Sequence, residues 1–108
     1  MILCTTNDIA GREVIECLGL VKGNTIRARS LPKDLLADFG NLIGGEIREY
    51  TKMLAEAREQ ALDRLMEDAK ILDADAVVSI RFTTNSMMKG AAELLVYGTA
   101  VKLAPVKA

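Results

Sequence analysis

The fold is decided by the segment EIREYTKMLAEAREQALDRLMEDAKIL, Glu46 to Leu72, which runs for 27 residues without a glycine or a proline. Apolar residues recur along it at three- and four-residue spacing, at Ile47, Tyr50, Leu54, Ala57, Ala61, Leu65, Ala69 and Leu72. This spacing predicts one α-helix of roughly 40 Å with a continuous apolar stripe. Because several alanines make the stripe shallow, the helix can lie close to a neighbouring layer, and we expect that layer to be a β-sheet.

The opposite side of this helix is charged. Lys52 and Glu56 can pair at i,i+4, whereas Glu59, Asp63 and Glu67 form a row of like charges. A solvated helix face explains this row, and an acidic strip that binds a cation or a partner is the alternative.

Two segments near the N-terminus predict strands. Residues 2–5 and 13–21 are rich in aliphatic and β-branched side chains, and they flank a loop that contains Asn7, Asp8 and Gly11. We expect these two segments to pair as a first β-hairpin or near-hairpin.

Three shorter features follow before the long helix. Residues 22–24, Lys-Gly-Asn, predict a turn, and residues 25–29 predict a short return strand. Residues 30–39 begin with Ser and contain a proline in the first turn, which favours a short helix.

Two more strands are predicted after the long helix. Residues 76–84 are rich in β-branched residues and place Val78, Ile80 and Phe82 on one side, and residues 91–103 form the last strand. Both faces of the last strand are apolar, and one helix can cover only one face of a small sheet. We therefore expect contacts between subunits to cover the remaining apolar surface.

The order of these elements indicates one domain over residues 1–108 of the α+β class, with a small antiparallel sheet and one long helix. No charged n-region with an apolar h-region opens the chain, and charges interrupt every apolar run well short of a membrane span. We expect a cytoplasmic protein with no membrane partner.

The composition excludes several function classes. The formal charge is −1, and the chain has no Trp, two Phe and two Tyr, so the basic and aromatic surface of a typical nucleic-acid binder is missing. The chain also has no histidine, which removes His-based acid–base pairs, Ser-His-Asp and Cys-His catalysis, and metal sites that need imidazole. We expect neither a nucleic-acid partner nor catalytic activity. An enzyme whose carboxylates meet between two subunits is the weaker alternative.

The two cysteines are the first candidates for a metal site. If the first two strands pair about a centre between Ala10 and Gly11, Cys4 and Cys17 lie opposite each other. Two facing thiols suit a heavy or other thiophilic metal, with further ligands from carboxylates, backbone oxygens or neighbouring subunits. Two buried thiols that only fill space are the alternative, since free cysteine is among the most buried residue types.

Three further features have both a functional and a structural interpretation. Gly44 and Gly45 could present free N–H groups to an anion, or could simply form a tight turn. Residues 27 and 29 are both arginines that could bind acidic ligands or protect an edge strand. Met87 and Met88 could offer thioether ligands, or could fill gaps at a subunit contact.

The chain also resembles a known family over nearly its whole length. The residues that carry the resemblance are Ile2-Leu3-Cys4-Thr5-Thr6, residues 15–23, Ile43-Gly44-Gly45, Tyr50, residues 57–61, Leu65, residues 74–78 and Gly98-Thr99-Ala100-Val101. These stretches resemble the YbjQ-like family of small prokaryotic proteins. Many members have Thr or Ser and Tyr where this chain has Cys4 and Cys17, so no ligand pattern transfers from the family. The segment between Gly23 and Ile43 also departs from the family pattern.

The resemblance implies a small α+β subunit related in shape to dodecins, which assembles into a homopentameric ring. It also implies heavy-metal binding, in a family without an assigned biochemical function. We therefore expect a small homo-oligomeric, pentameric binding protein of unassigned ligand, for which a heavy metal or another thiophilic species is the candidate. The alternative is a non-catalytic structural or interaction scaffold without a small-molecule ligand.

Overall fold

The protein folds as one sheet with a long helix packed across it. The computed structural model describes residues 1–28, 45–88 and 91–106. The elements follow each other as β1 (Ile2–Leu3), β2 (Val14–Ala28), α1 (Gly45–Ile71), β3 (Ala76–Met88) and β4 (Ala91–Leu103). This arrangement confirms the α+β class, the long helix and the boundaries of the last strand. The short helix predicted over residues 30–39 lies outside the described residues.

The sheet has the strand order β1-β3-β4-β2. It is a mixed sheet, so the prediction of a purely antiparallel sheet is wrong. β4 pairs antiparallel with both β2 and β3, and the two-residue β1 pairs parallel with the start of β3. The predicted hairpin between the first two strands is therefore wrong, because β1 and β2 lie at opposite edges of the sheet.

The chain between β1 and β2 explains why no hairpin forms. Cys4 and Ile9 of this segment pack against a buried apolar cluster on the helix-free face, formed by Ala76, Val78, Val101 and Leu103. The segment crosses the sheet and covers apolar surface that a tight turn would leave exposed.

β2 is one continuous strand, and the predicted turn at residues 22–24 is wrong. Gly23 lies where α1 crosses β2, and a Cβ atom at this position would overlap the carbonyl oxygen of Ala61 and lie 2.5 Å from the nitrogen of Leu65. The glycine is therefore required by the close approach of the helix backbone and not by a turn.

The main core lies between α1 and the sheet. The helix contributes Ala57, Ala61, Leu65 and Ala69, which are all fully buried, as the apolar stripe predicts. The strands contribute Val21, Val77, Ile80, Val96 and Ala100 to the same core. The small alanine side chains let the helix approach the sheet closely, which confirms the predicted packing.

A β-bulge interrupts β3. The pairing with β4 shifts between Val78 and Arg81, and Ser79 has a positive φ of 55°. As a result Val78 belongs to the helix-free cluster and Ile80 to the main core, so the prediction that they share a side is wrong. The strand also continues through Met88, so it extends beyond the predicted end at residue 84 and includes Met87 and Met88.

The molecule is elongated. Its Cα radius of gyration is 18.0 Å, whereas a compact chain of this length has about 13 Å. Large apolar side chains remain exposed on several elements, including Ile15, Leu20, Ile26, Ile71, Phe82 and Tyr97. Among the described residues, no helix is both long enough and apolar enough to cross a membrane.

Candidate functional site

Cys4 lies directly after β1 and spans the bulge of β3. Its backbone N–H donates to Val77 O at 3.0 Å, and its carbonyl accepts from the N–H of Ile80 at 3.1 Å. Its thiol is half-buried against the helix-free cluster and donates to Thr6 O at 3.6 Å. The side chain therefore contributes to packing and still keeps part of its surface accessible.

Cys17 lies on β2, opposite Val101 of β4, and is exposed. The register between β2 and β4 shifts just after it, between Cys17 and Gly19, and Gly19 has a φ of 119°. An exposed thiol beside a bulge is accessible to a soft metal or to another subunit.

The fold does not bring the two thiols together within one chain. Cys4 follows the strand at one edge of the sheet, and Cys17 belongs to the strand at the other edge. Three strand spacings separate them, or about 14 Å. One metal ion holds thiolate sulfurs at about 2.3 Å each, so a single chain cannot supply both cysteines to the same ion.

Within residues 1–28, 45–88 and 91–106, no three His, Cys, Asp or Glu side chains converge as a metal-binding group. The row formed by Glu59, Asp63 and Glu67 lies on the exposed side of α1, as the helix spacing predicts. A complete metal site built from these described residues would therefore need ligands from more than one copy of the chain.

A polar cluster at the β3 bulge was not predicted from the sequence. The Ser79 hydroxyl donates to Asn7 Oδ1 at 2.6 Å, and the Ser79 N–H donates to Thr6 O at 2.9 Å. Arg81 Nη1 donates to Thr5 O at 2.7 Å. These bonds fix the loop that carries Cys4, and the only sequence signal for them is a serine within an aliphatic strand.

A second unpredicted cluster joins β4 to the turn after α1. Lys102 Nζ lies 3.0 Å from Asp73 Oδ2 and 3.8 Å from Asp75 Oδ1. The hydrogen bond to Asp73 and the negative charges of both aspartates raise the pKa of Lys102 above 10.5. Asp75 also accepts from the backbone N–H of Leu103 at 2.9 Å. These contacts fasten the end of the sheet to the helix.

Side chains of α1 reach the outer edge of β2. Asp68 Oδ2 accepts from the backbone N–H of Lys22 at 3.0 Å, and Arg64 donates to the carbonyl of Asn24. Nearby, Arg27 donates to Gln60 Oε1 at 2.6 Å, so this candidate for binding acidic ligands is already paired within the chain. The described residues do not include the other candidates, which are Arg29, Gly44 and the side chains of Met87 and Met88.

Clefts also lie beside these elements in the part of the chain that the structure describes. One of about 290 Å³ lies between β2 and α1 and is lined by Lys22, Arg64 and Asp68 among others. Another of about 500 Å³ lies between residues 11–13 and residues 104–106. Arg12 lines the second cleft and donates to Ala104 O at 3.4 Å, and Glu13 lines it too, so the charge there is mixed.

Comparison with known proteins shows close relatives in archaea and bacteria. A UPF0145 protein of Archaeoglobus fulgidus is 57% identical over 103 residues, covering 95% of both chains. A UPF0145 protein of Photobacterium profundum is 53% identical, covering 95% of this chain and all of its own. One of Methanosarcina acetivorans is 52% identical, covering 95% of this chain and 97% of its own.

A solved structure has a similar fold at low sequence identity. It is a crystal structure of a protein of unknown function from Pediococcus pentosaceus that belongs to the DUF74 family. The TM-score is 0.57 at 16% identity, covering 96% of this chain and 98% of that one. At this identity the likeness concerns the fold alone.

Residues 1–104 match the model of the YbjQ family, whose description is "Putative heavy-metal-binding". The match covers almost the entire chain, and the relatives above are more than half identical to it along nearly their full length. This chain therefore belongs to the YbjQ family.

Proposed function

We propose that the protein is a cytoplasmic homopentamer that binds a thiophilic metal between its subunits, through Cys4 of one subunit and Cys17 of the next. The observation that carries this proposal is the position of the two thiols at opposite edges of the sheet. In a ring, each subunit presents one side to the opposite side of its neighbour. Such a contact pairs two edges that one chain keeps apart.

The chemistry of the thiols supports a soft cation. Thiolates select soft and borderline metals, whereas the chain has no histidine to form an imidazole site. Two thiolates leave two positions of a tetrahedral site to be filled by oxygen atoms. The carbonyl of Thr6, 3.6 Å from the Cys4 sulfur, is one such oxygen close at hand.

A non-catalytic scaffold is the second candidate, and two observations favour it. Cys4 packs against the helix-free cluster, as expected of a thiol that fills space. Leu20 and Ile26 are 71% and 56% exposed on the face of β2 that α1 does not cover, as expected of a surface that meets another subunit or protein. A scaffold would assemble without any stoichiometric ligand.

Native mass spectrometry under reducing conditions separates the two candidates. The protein is measured as isolated and after addition of Cd²⁺, alongside the single variants Cys4→Ser and Cys17→Ser and the double variant. We expect a pentamer with extra mass after Cd²⁺ addition, and thiolate-to-cadmium charge-transfer absorbance in the ultraviolet. The extra mass and the absorbance should both be lost in all three variants, because these differ from the unchanged protein only by the replacement of sulfur with oxygen.

Mixed rings test whether the site lies between subunits. Cys4→Ser subunits and Cys17→Ser subunits are unfolded together, refolded as a mixture and then titrated with Cd²⁺. A fraction of the contacts in such rings joins an intact Cys17 to an intact Cys4, so part of the cadmium binding should return. Binding that is equal in the double variant and the unchanged protein would refute the metal site and leave the scaffold, and a monomer would refute both.

A further inference from the structure

The outer edge of β2 is held by side chains of α1. The Lys22 N–H donates to Asp68, and the Asn24 carbonyl accepts from Arg64. In an antiparallel strand, successive residues direct their backbone groups to alternate sides. Residues 20, 22, 24 and 26 therefore direct their N–H and C=O groups away from β4, towards any strand that could add to this edge.

The two side chains occupy bonds that an added strand would need. A strand at the β2 edge must pair with the groups of Lys22 and Asn24, because these lie at the middle of its outward-facing side. Asp68 already accepts the first N–H and Arg64 already donates to the second carbonyl. An added strand must therefore displace both side chains before it can form backbone hydrogen bonds with β2.

The sequence of this edge is complementary to itself. In an antiparallel pairing centred on Gly23, Leu20 faces Ile26 of the second copy, and Lys22 faces Asn24. Leu20 and Ile26 are the most exposed apolar residues of this part of β2, and their pairing would bury side chains that are now in water. Neither pair places like charges opposite each other, so nothing in the register opposes a symmetric contact.

We infer that Arg64 and Asp68 guard the β2 edge, and that the partner they exclude is the same strand of a second copy of this chain. Long exposed edge strands associate readily, and proteins protect them with charged side chains or by covering the edge. Here the protection comes from the helix that packs on the strand. The guarded part of the edge, at Lys22 and Asn24, lies further along β2 than Cys17, where the proposed metal contact would be made. The inference therefore needs neither the metal site nor a particular ring size.

The test removes the guard and measures self-association. The variant Arg64→Ala/Asp68→Ala is compared with Arg58→Ala/Asp63→Ala, which removes one positive and one negative charge from exposed positions of the same helix that do not line the cleft beside β2. Light scattering after gel filtration over a range of concentrations gives the masses. We expect the Arg64→Ala/Asp68→Ala variant to form dimers of the particle that the unchanged protein forms. Its association constant should be at least about tenfold higher than that of the control variant.

Disulfide trapping tests the register. In a Cys4→Ser/Cys17→Ser background, Leu20→Cys and Ile26→Cys place thiols that are too far apart to join within one strand but face each other in the proposed pair. Mild oxidation should give covalent dimers with the guard removed and few with it intact. The single variant Arg64→Met, which keeps the packing of the side-chain stem, should give an intermediate yield and serves if the alanine variant does not fold.

Two results would overturn the inference. One is that the folded guard variant keeps the same mass as the control at every concentration. The other is that the trapping yield does not depend on Arg64 and Asp68. A failure to find cadmium binding or a pentamer would refute the proposed function and not this inference, because both are measured on chains in which Arg64 and Asp68 are unchanged.

Discussion

Gly23 is the residue on which the contact between α1 and β2 depends. Its missing side chain lets the helix backbone lie against the strand, and the alanines of α1 extend this close contact along the helix. Thr25, two residues on, is buried and donates its hydroxyl hydrogen to Ala57 O at 3.1 Å. The strand thus contacts the helix through its backbone at Gly23 and through a hydrogen bond at Thr25, without a large apolar side chain at either position.

Gly23→Ala should lower the free energy of unfolding by about 3 kcal/mol or more, because the new Cβ atom overlaps backbone that cannot move independently. Urea unfolding measures the change. The control is Gly11→Ala, where φ is 75° and no atom lies within 4 Å, so only the backbone strain of about 1 kcal/mol applies. Equal losses in both variants would show that close approach is not the reason for Gly23.

The two cysteines should differ in their effect on stability. Cys4→Ser places a hydroxyl against the helix-free cluster and should cost about 1 kcal/mol, whereas Cys17→Ser changes an exposed side chain and should stay within about 0.5 kcal/mol. Urea midpoints of the reduced, metal-free proteins measure both. A larger loss for Cys17→Ser than for Cys4→Ser would contradict the burial described above.

At the level of elements, the β3 bulge connects the N-terminal segment to the sheet. Ser79 takes a left-handed conformation that a non-glycine residue seldom adopts, and the loop at residues 5–7 bonds to it and to Arg81. The bulge also assigns Val78 and Ile80 to different faces. A single inserted residue therefore reverses which positions of β3 face each apolar layer.

Replacements of Ser79 should separate backbone strain from the hydroxyl contact. Ser79→Ala and Ser79→Gly both lose the hydrogen bond to Asn7, but only glycine adopts the left-handed conformation without strain. We expect the glycine variant to be more stable than the alanine variant by about 1 kcal/mol in chemical unfolding. The reverse order would mean that the strand loses its bulge when the serine is replaced.

At the level of the whole molecule, the elongated sheet carries two apolar layers with different covers. The helix covers one side, and the segment that contains Cys4 and Ile9 covers part of the other. Leu20, Ile26 and Tyr97 stay exposed on the helix-free face. A subunit contact on this face would bury these side chains, whereas the guarded edge concerns the outward backbone groups of β2.

The Lys102 cluster predicts how stability depends on pH. The pKa of Lys102 is raised in the folded state, so its stabilising effect is complete below about pH 10 and is lost as the pH rises through the folded-state pKa above 10.5. Lys102→Arg keeps its charge over this range and should lose less stability there. Urea midpoints at pH 8 to about 12 measure the difference, and parallel curves for the two proteins would contradict the prediction.

The local pattern of the sequence predicted the helix, the last strand and the apolar stripe, because each depends on a periodicity within one segment. It did not predict the partners of β1 and β2. Pairing depends on which surfaces need cover, and the segment after β1 lowers the free energy more by crossing the helix-free face than by turning back as a hairpin. The distance between Cys4 and Cys17 follows from that choice and from nothing near either cysteine.

The sequence by itself therefore determined the class of the fold, the face of the helix that is buried, and the absence of histidine chemistry. The tertiary structure decided that β1 lies beside β3, that Gly23 serves a helix crossing, and that the two thiols occupy opposite edges. The reason is physical. Secondary structure follows from neighbours along the chain, whereas strand order, bulges and side-chain contacts depend on residues that meet only when the whole sheet has formed.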